Sequence, residues 1–94
     1  MNKYELTVIL DGKTTAAKKK TVLETIEKMV KILEGKMDKV EDWGVKEMFY
    51  QIGKIKEGLY LHIPFEIEAK SVKQFDMKLK MEESIIRYLL IKVK

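Results

Sequence analysis

The chain has 94 residues, 46% of them hydrophobic and 36% charged, with a net charge of +4 at pH 7. A disordered chain would have fewer apolar residues and a larger net charge, so we expect one folded domain over residues 1–94. The sequence contains no cysteine, which excludes disulfides, catalytic thiolates and cysteine-based metal sites.

The first elements along the chain are a strand and a helix. Residues 4–10 are rich in β-forming side chains, and Asp11-Gly12 follows with turn chemistry. From residue 15 to about residue 34, apolar side chains recur three and four positions apart, a spacing that predicts an amphipathic helix. Its apolar stripe consists of Leu23, Ile26, Val30 and Leu33, and Gly35 follows as the expected C-cap.

The second half of the chain predicts two strands, a helix and a last strand. A long strand over about residues 37–52 carries large side chains on both faces and is expected to bend or bulge at Gly44. After a hairpin loop over residues 53–58, residues 59–68 alternate between apolar and polar side chains. Ser71 and Gln74 form a capping-box pattern that predicts the second helix, and residues 85–93 form the closing strand.

This order, β-α-β-β-α-β, is that of the ferredoxin-like split arrangement. The predicted fold class is therefore α+β, a four-stranded antiparallel sheet with two helices on one face, because the crossovers are right-handed. The opposite face of the sheet is then bare. Large side chains on a bare face indicate a binding partner.

The residues that catalysis requires are missing. The single histidine, His62, lies in a strand without an evident nucleophile or metal partner, and Asp11-Gly12-Lys13 lacks the spacing of a phosphate-binding loop. Ferredoxin-like acylphosphatases use a glycine-rich turn and an arginine after the first strand, and neither is present here. We therefore predict no enzyme activity, no cofactor, no metal and no small-molecule substrate.

The chain begins directly with a strand pattern and has no apolar run of the roughly 18 residues that a membrane span needs. We therefore expect no signal peptide, no membrane partner and a cytoplasmic protein.

Three sequence motifs, spread over nearly the whole chain, resemble one family. They are Lys3-Tyr4-Glu5, the strand from Trp43-Gly44 to Tyr50-Gln51-Ile52, and Arg87-Tyr88-Leu89 near the end. In these motifs the chain resembles bacterial ribosomal protein S-six, the sixth protein of the small subunit. The resemblance implies a ferredoxin-like, non-catalytic ribosomal protein. It would bind the central domain of small-subunit ribosomal RNA together with ribosomal protein S-eighteen, as a heterodimer.

The chain departs from this family pattern after the Trp-Gly pair. The family usually has a basic segment there, whereas this chain has Val45-Lys46-Glu47, so only Lys46 keeps the charge. Phe49 is also larger than the usual alanine. The departure favours protein contact over RNA contact along this strand.

The resemblance and the basic side chains together predict two sets of site residues. The predicted RNA-binding residues are Lys3, Lys46, Lys54, Lys56, Arg87 and Lys92. The predicted protein-partner residues are Trp43, Met48, Phe49, Tyr60 and His62.

Two alternative functions fit the same fold. One is a homodimeric small-molecule sensor that covers the bare face with a second copy of itself. The other is an RNA-recognition-motif-like RNA binder, for which Tyr60 and His62 would be weak substitutes for the usual stacking aromatics.

Overall fold

The fold is an antiparallel sheet with two α-helices. The computed structural model describes the backbone of residues 2–52 and 55–93, and all of their side chains except those of residues 48–52 and 55. The elements are β1 (Asn2–Asp11), α1 (Ala16–Ile32), β2 (Lys36–Met37), β3 (Glu41–Ile52), β4 (Ile55–Ile67), α2 (Val72–Lys80) and β5 (Arg87–Lys92). A single 3-10 turn, Ala69–Ser71, precedes α2.

The strand order confirms the ferredoxin-like prediction. β4 and β1 lie in the middle of the sheet, β5 lies outside β1, and β2 and β3 both pair with the other side of β4. The two-residue strand β2 and the twelve-residue strand β3 thus occupy the place of the single long strand that the sequence predicted. Over residues 2–52 and 55–93, the sheet has five strands in four positions.

Pro64 explains why the predicted long strand is divided. The backbone N–H of Asp38 donates to the carbonyl of Pro64 at 2.9 Å. Proline has no N–H with which to return a bond, so the ladder between the strands is interrupted there. Pairing resumes at Glu41, opposite His62, with one extra residue between β2 and β3.

The core lies between the sheet and the helices. Alternate side chains of β1 and β4 face the helices, each at most 7% exposed: Tyr4, Leu6, Val8, Leu10, Leu59, Leu61, Ile63, Phe65 and Ile67. The helices contribute Val22, Ile26, Met29, Val30, Phe75 and Leu79. Because side chains alternate along a strand, the residues between them lie on the opposite, open face of the sheet.

Two predicted helix caps have a different form in the structure. Glu34, rather than Gly35, has the left-handed conformation (φ 59°), and Gly35 donates its N–H to Val30 at 2.8 Å, which closes α1 with a Schellman motif. A Cβ added at Gly35 would lie 2.3 Å from the carbonyl oxygen of Glu66, so the glycine permits close contact between α1 and β4. The Ser71 capping box is wrong: Ser71 has helical backbone angles, and its side chain makes no capping bond.

A side-chain hydrogen bond joins β5 to α2. The hydroxyl of Tyr88 donates to the carboxylate of Asp76, which also lies 3.4 Å from the ammonium of Lys80. Burial, together with this bond, raises the pKa of Tyr88 to about 12. The same hydrogen bond is the main cause that lowers the pKa of Asp76.

Candidate functional site on the open face of the sheet

The open face is a mixed aromatic, apolar and charged surface. Its side chains come from four strands: Lys3, Glu5, Thr7 and Ile9 on β1; Glu41, Trp43 and Lys46 on β3; Tyr60, His62, Pro64 and Glu66 on β4; Arg87, Leu89 and Ile91 on β5. The large exposed hydrophobic side chains of the described residues include Trp43, Leu89 and Ile91 from this face. Such a surface is suited to a partner.

A β-bulge at Gly44 determines which β3 side chains reach this face. Asp42 pairs with Leu61 and Gly44 pairs with Tyr60, so Trp43 is an extra residue in β3. Gly44 has a φ of 79°, a conformation that favours glycine. The bulge predicted at Gly44 is therefore confirmed.

The bulge also changes the alternation of side chains along β3. Trp43 and Lys46 are three residues apart and would lie on opposite faces of a regular strand. With the bulge, both lie on the open face. Val45, opposite Leu59, lies on the helix side, so this exposed side chain does not contribute to the apolar surface of the open face.

Asp42 holds the bulge against α1. One carboxylate oxygen accepts the N–H of Gly44 at 2.8 Å, and the other accepts from the Lys19 ammonium at 2.7 Å. The Lys19 hydrogen bond, followed by that from Gly44, lowers the pKa of Asp42. Asp42 is a positioning residue that the sequence analysis did not identify, because its partner Lys19 is distant in the chain.

Trp43, Tyr60, His62 and Lys46 form a compact group, which we call the aromatic cluster. The Trp43 ring stacks on His62 with centroids 4.9 Å apart, and its Nε1–H donates to Glu41 at 3.2 Å. The Lys46 ammonium lies 5.6 Å from the Trp43 centroid and 6.0 Å from that of Tyr60. The cluster therefore offers aromatic surface for apolar contact or stacking beside a positive charge.

The predicted basic residues lie on different faces. Lys3 and Arg87 lie on the open face. On β1, Ile9 pairs with Arg87 on one side and with Tyr60 on the other. Arg87 is therefore two strand spacings, roughly 10 Å, from the aromatic cluster. Lys56 is exposed in the part of β4 that extends past the end of β1. Lys92 pairs with Tyr4 and so lies on the helix side of the sheet.

Three predicted residues cannot be placed. Lys54 lies outside the described residues, and the side chains of Met48 and Phe49 lie outside the described side chains.

Leu89 and Ile91 are exposed residues that the sequence analysis did not single out. They are 58% and 47% exposed on β5. Every residue from Tyr88 to Ile91 is apolar or aromatic, so alternation could not show which of them face outwards.

Over residues 2–52 and 55–93, histidine and acidic side chains do not gather into groups of three or more that could hold a metal ion. The helices in this part of the chain are too short or too polar to cross a membrane.

Comparison with known proteins identifies the family. Residues 3–92 match the family model described as Ribosomal protein S6. The chain belongs to the ribosomal protein S6 family. The small ribosomal subunit protein bS6 of Alkaliphilus metalliredigens is 33% identical over 93 residues, which cover 99% of this chain and 98% of that protein. The bS6 protein of Alkaliphilus oremlandii is 32% identical over the same length.

A solved structure from the S6 family has the same fold. The crystal structure of 30S ribosomal protein S6 from Thermotoga maritima superposes with a TM-score of 0.88 at 25% identity, covering 98% of this chain and 87% of that one. S6 proteins are named as proteins of the small ribosomal subunit. The predicted class, a ribosomal structural protein rather than an enzyme, is therefore confirmed, as is the ferredoxin-like fold.

Proposed function

We propose that this S6-family chain binds the central domain of small-subunit ribosomal RNA together with ribosomal protein S-eighteen, as a heterodimer in the cytoplasmic ribosome. Family membership over residues 3–92 supports the ribosomal context. The observation that carries the proposal further is the aromatic cluster, in which Lys46 lies over the exposed Trp43 ring on an open sheet face.

The protein-contact region is the part of the open face on β3 and β4. Trp43 and Tyr60 combine flat apolar surface with a polar atom, a combination enriched at the centres of protein interfaces. Trp43 is 42% exposed and held by its stack on His62, so little side-chain entropy is lost when a partner covers it. We also assign Met48 and Phe49, which lie further along β3, to this protein-contact region, on the basis of the sequence alone.

The RNA-contact region consists of basic residues around this surface. Lys3 and Arg87 share the open face with the aromatic cluster, and the Arg87 guanidinium can form two parallel hydrogen bonds with one phosphate. Lys46 lies at the boundary of the two regions. Lys56, exposed on β4, belongs to the proposed RNA surface, and Lys54 is assigned to it from the sequence alone. Lys92, on the helix side of β5, reaches this surface only around the edge of that strand.

A gel-shift titration tests the heterodimer mechanism. The chain is titrated onto a central-domain RNA fragment with and without saturating S-eighteen. We expect at least tenfold tighter binding when S-eighteen is present, since the two proteins then share one RNA site. Equal affinity in the two titrations would contradict the proposal.

Matched variants connect that result to the open face. Lys46→Gln should weaken the complex, whereas Lys28→Gln on the exposed side of α1 should leave it unchanged. Equal effects of the two variants would mean that the open face has no special role.

A further inference from the structure

The open face of the sheet has a trough along β1. The floor of this trough is formed by half-buried side chains of β1, and its two walls are formed by side chains of the neighbouring strands. The floor consists of Glu5, Thr7 and Ile9, one wall of Leu89 and Ile91 on β5, and the other wall of Trp43 stacked on His62. Leu89, Ile91 and Trp43 are 58%, 47% and 42% exposed, so both walls offer apolar surface. We call this feature the β1 trough.

The β1 trough has the width of an α-helix. Thr7 pairs with Leu89 on one side and with His62 on the other. The two walls are therefore two strand spacings, roughly 10 Å, apart. An α-helix with its side chains is about 10 to 12 Å across. A helix that lies over β1 can therefore contact both walls at once.

The backbone of β1 favours a helix over an extended segment as the occupant. β1 pairs with β4 along one side and with β5 along the other, so its N–H and C=O groups already have partners within the sheet. An extended segment on this face would find no backbone groups with which to form hydrogen bonds. A helix satisfies most of its own backbone groups internally and needs only side-chain contacts with the trough.

The charges around the β1 trough favour a basic occupant. In the strand register, Glu5 and Glu41 lie opposite no lysine or arginine. Glu66 differs from them, because it pairs with Lys3 on one side and with Lys36 on the other. Basic side chains of a partner would therefore complement the two carboxylates that the chain itself leaves without an opposite charge across the strands.

We propose that a basic, amphipathic helix of the protein partner occupies the β1 trough. The apolar stripe of this helix contacts Leu89, Ile91 and Trp43, and its flanking basic side chains lie towards Glu5 and Glu41. Helices that bind in grooves place apolar residues three and four positions apart on one face, which matches two apolar walls on either side of a narrow floor. The inference rests on the proposed function and names the part of the partner that the open face receives.

The helix leaves the proposed RNA-contact residues accessible. The floor from Glu5 to Ile9 is about 14 Å long, a length that about nine helical residues span. Arg87 pairs with Ile9, and Lys46 pairs with Gly58, so both basic residues lie at one end of the trough or beyond it. The protein contacts on β5, β3 and β4 then form one surface, with basic side chains at its end for RNA.

Paired substitutions on β5 test the wall that the proposed function does not use. Leu89→Gln with Ile91→Gln removes its apolar surface, so calorimetric titration with S-eighteen should show at least tenfold weaker binding. Val45→Gln with Met77→Gln changes two exposed apolar residues outside the trough and is the matched control, which should leave the affinity unchanged. A loss of affinity no larger than that of the control would overturn the proposal.

The Trp43→Ala variant separates this inference from the proposed function. If Trp43→Ala weakens binding to S-eighteen and the β5 variant does not, the proposed contact on β3 and β4 stands and the helix in the trough is wrong. If neither variant weakens binding, the open face is not the surface that S-eighteen uses, and both proposals are wrong.

Glu5→Lys tests the charge of the occupant. The substitution places a positive charge in the floor of the trough, so binding to S-eighteen should weaken at least fivefold. Glu24→Lys makes the same change at an exposed position on α1 and should leave the affinity unchanged. Equal affinities of the two variants would contradict a basic helix.

Cross-saturation NMR on the unmodified chain tests whether the occupant is a helix. The aliphatic protons of this chain are irradiated in its complex with deuterated, amide-protonated S-eighteen, and the amides of S-eighteen that lose intensity are identified. We expect these amides to recur three and four residues apart over about nine residues. Losses at every second residue, or losses only in loops, would overturn the proposal. Because this measurement needs no substitution, it decides the question even if a variant fails to fold.

Discussion

The Trp43 indole lies nearly parallel to the His62 imidazole, with an angle of 8° between the rings and 4.9 Å between their centroids. Trp43 is on β3 and His62 is on β4, and the stack forms because the bulge directs Trp43 to the open face. Since Trp43 is the only tryptophan of the chain, its fluorescence and near-ultraviolet circular dichroism report directly on the aromatic cluster.

Trp43→Ala should weaken binding to S-eighteen about 30-fold, or about 2 kcal/mol, as expected for an aromatic residue at the centre of an interface. The free energy of unfolding should fall by only about 1 kcal/mol, because the side chain is 42% exposed and loses mainly its stack on His62. Calorimetric titration measures the first quantity and urea denaturation the second. Met77→Ala, at an exposed position on α2, is the control and should change neither quantity. A loss of affinity no larger than that of the control would remove Trp43 from the interface.

Asp42→Ala should disorder the aromatic cluster with a small effect on stability. The substitution removes the acceptor for the Gly44 N–H and the ion pair with Lys19, which together stabilise the fold by about 1 kcal/mol because both side chains are partly exposed. We expect a weaker near-ultraviolet signal from Trp43. Asp42→Asn keeps an oxygen for Gly44 and should retain most of that signal. An unchanged near-ultraviolet spectrum for Asp42→Ala would show that the bulge at Gly44 does not depend on the Asp42 carboxylate.

Arg87→Ala should weaken RNA binding about tenfold in the presence of S-eighteen, since it removes the charge-assisted phosphate contact that we propose for this residue. The slope of log affinity against log salt concentration should become shallower by about one, as expected when one phosphate contact is lost. The thermal midpoint should stay nearly unchanged, because the side chain is exposed on the open face. A large drop in the midpoint would instead assign Arg87 a structural role. Lys92→Ala, at the same strand but on the helix side, should have a smaller effect on binding.

Tyr88→Phe should lower the free energy of unfolding by about 1 kcal/mol at pH 7, because it removes the hydrogen bond to Asp76. The pKa of Tyr88 rises from 10.0 to about 12 in the folded chain, so the folded state holds the proton more tightly than the unfolded state. This contribution is complete below pH 10 and is lost as the pH rises through about 12. The difference in free energy of unfolding between the unmodified chain and Tyr88→Phe, measured by urea denaturation, should therefore shrink to zero over that pH range. A gap that is constant from pH 7 to 12 would contradict the assignment.

The sequence predicted the elements of this fold well because their patterns are local. The period-two alternation of β4 and the three-four spacing in α1 each identify a buried face without knowledge of any neighbour. The division of the second strand was missed, because its cause, Pro64, lies in the partner strand rather than in residues 38–40.

The candidate site could be predicted only in part for the same reason. Alternation placed Tyr60 and His62 on one face, as observed. The proximity of Trp43 and Lys46 depends on the phase shift at Gly44, and the separation of Lys3 from Lys92 depends on how β5 pairs with β1. Both arrangements depend on the pairing register between neighbouring strands, which the sequence of one strand alone does not determine.

Side-chain oxidation footprinting tests the central claim most directly, namely that the open face is the surface used in the ribosomal complex. Trp43, Tyr60 and His62 lie on that face, while Met77 and Met81 are exposed on and just after α2, and hydroxyl radicals oxidise the side chains of all five residues. In the complex with S-eighteen and central-domain RNA, oxidation of the three cluster residues should fall at least fivefold, while that of the two methionines stays as in the free chain. Protection of the methionines with an unprotected cluster would contradict the account.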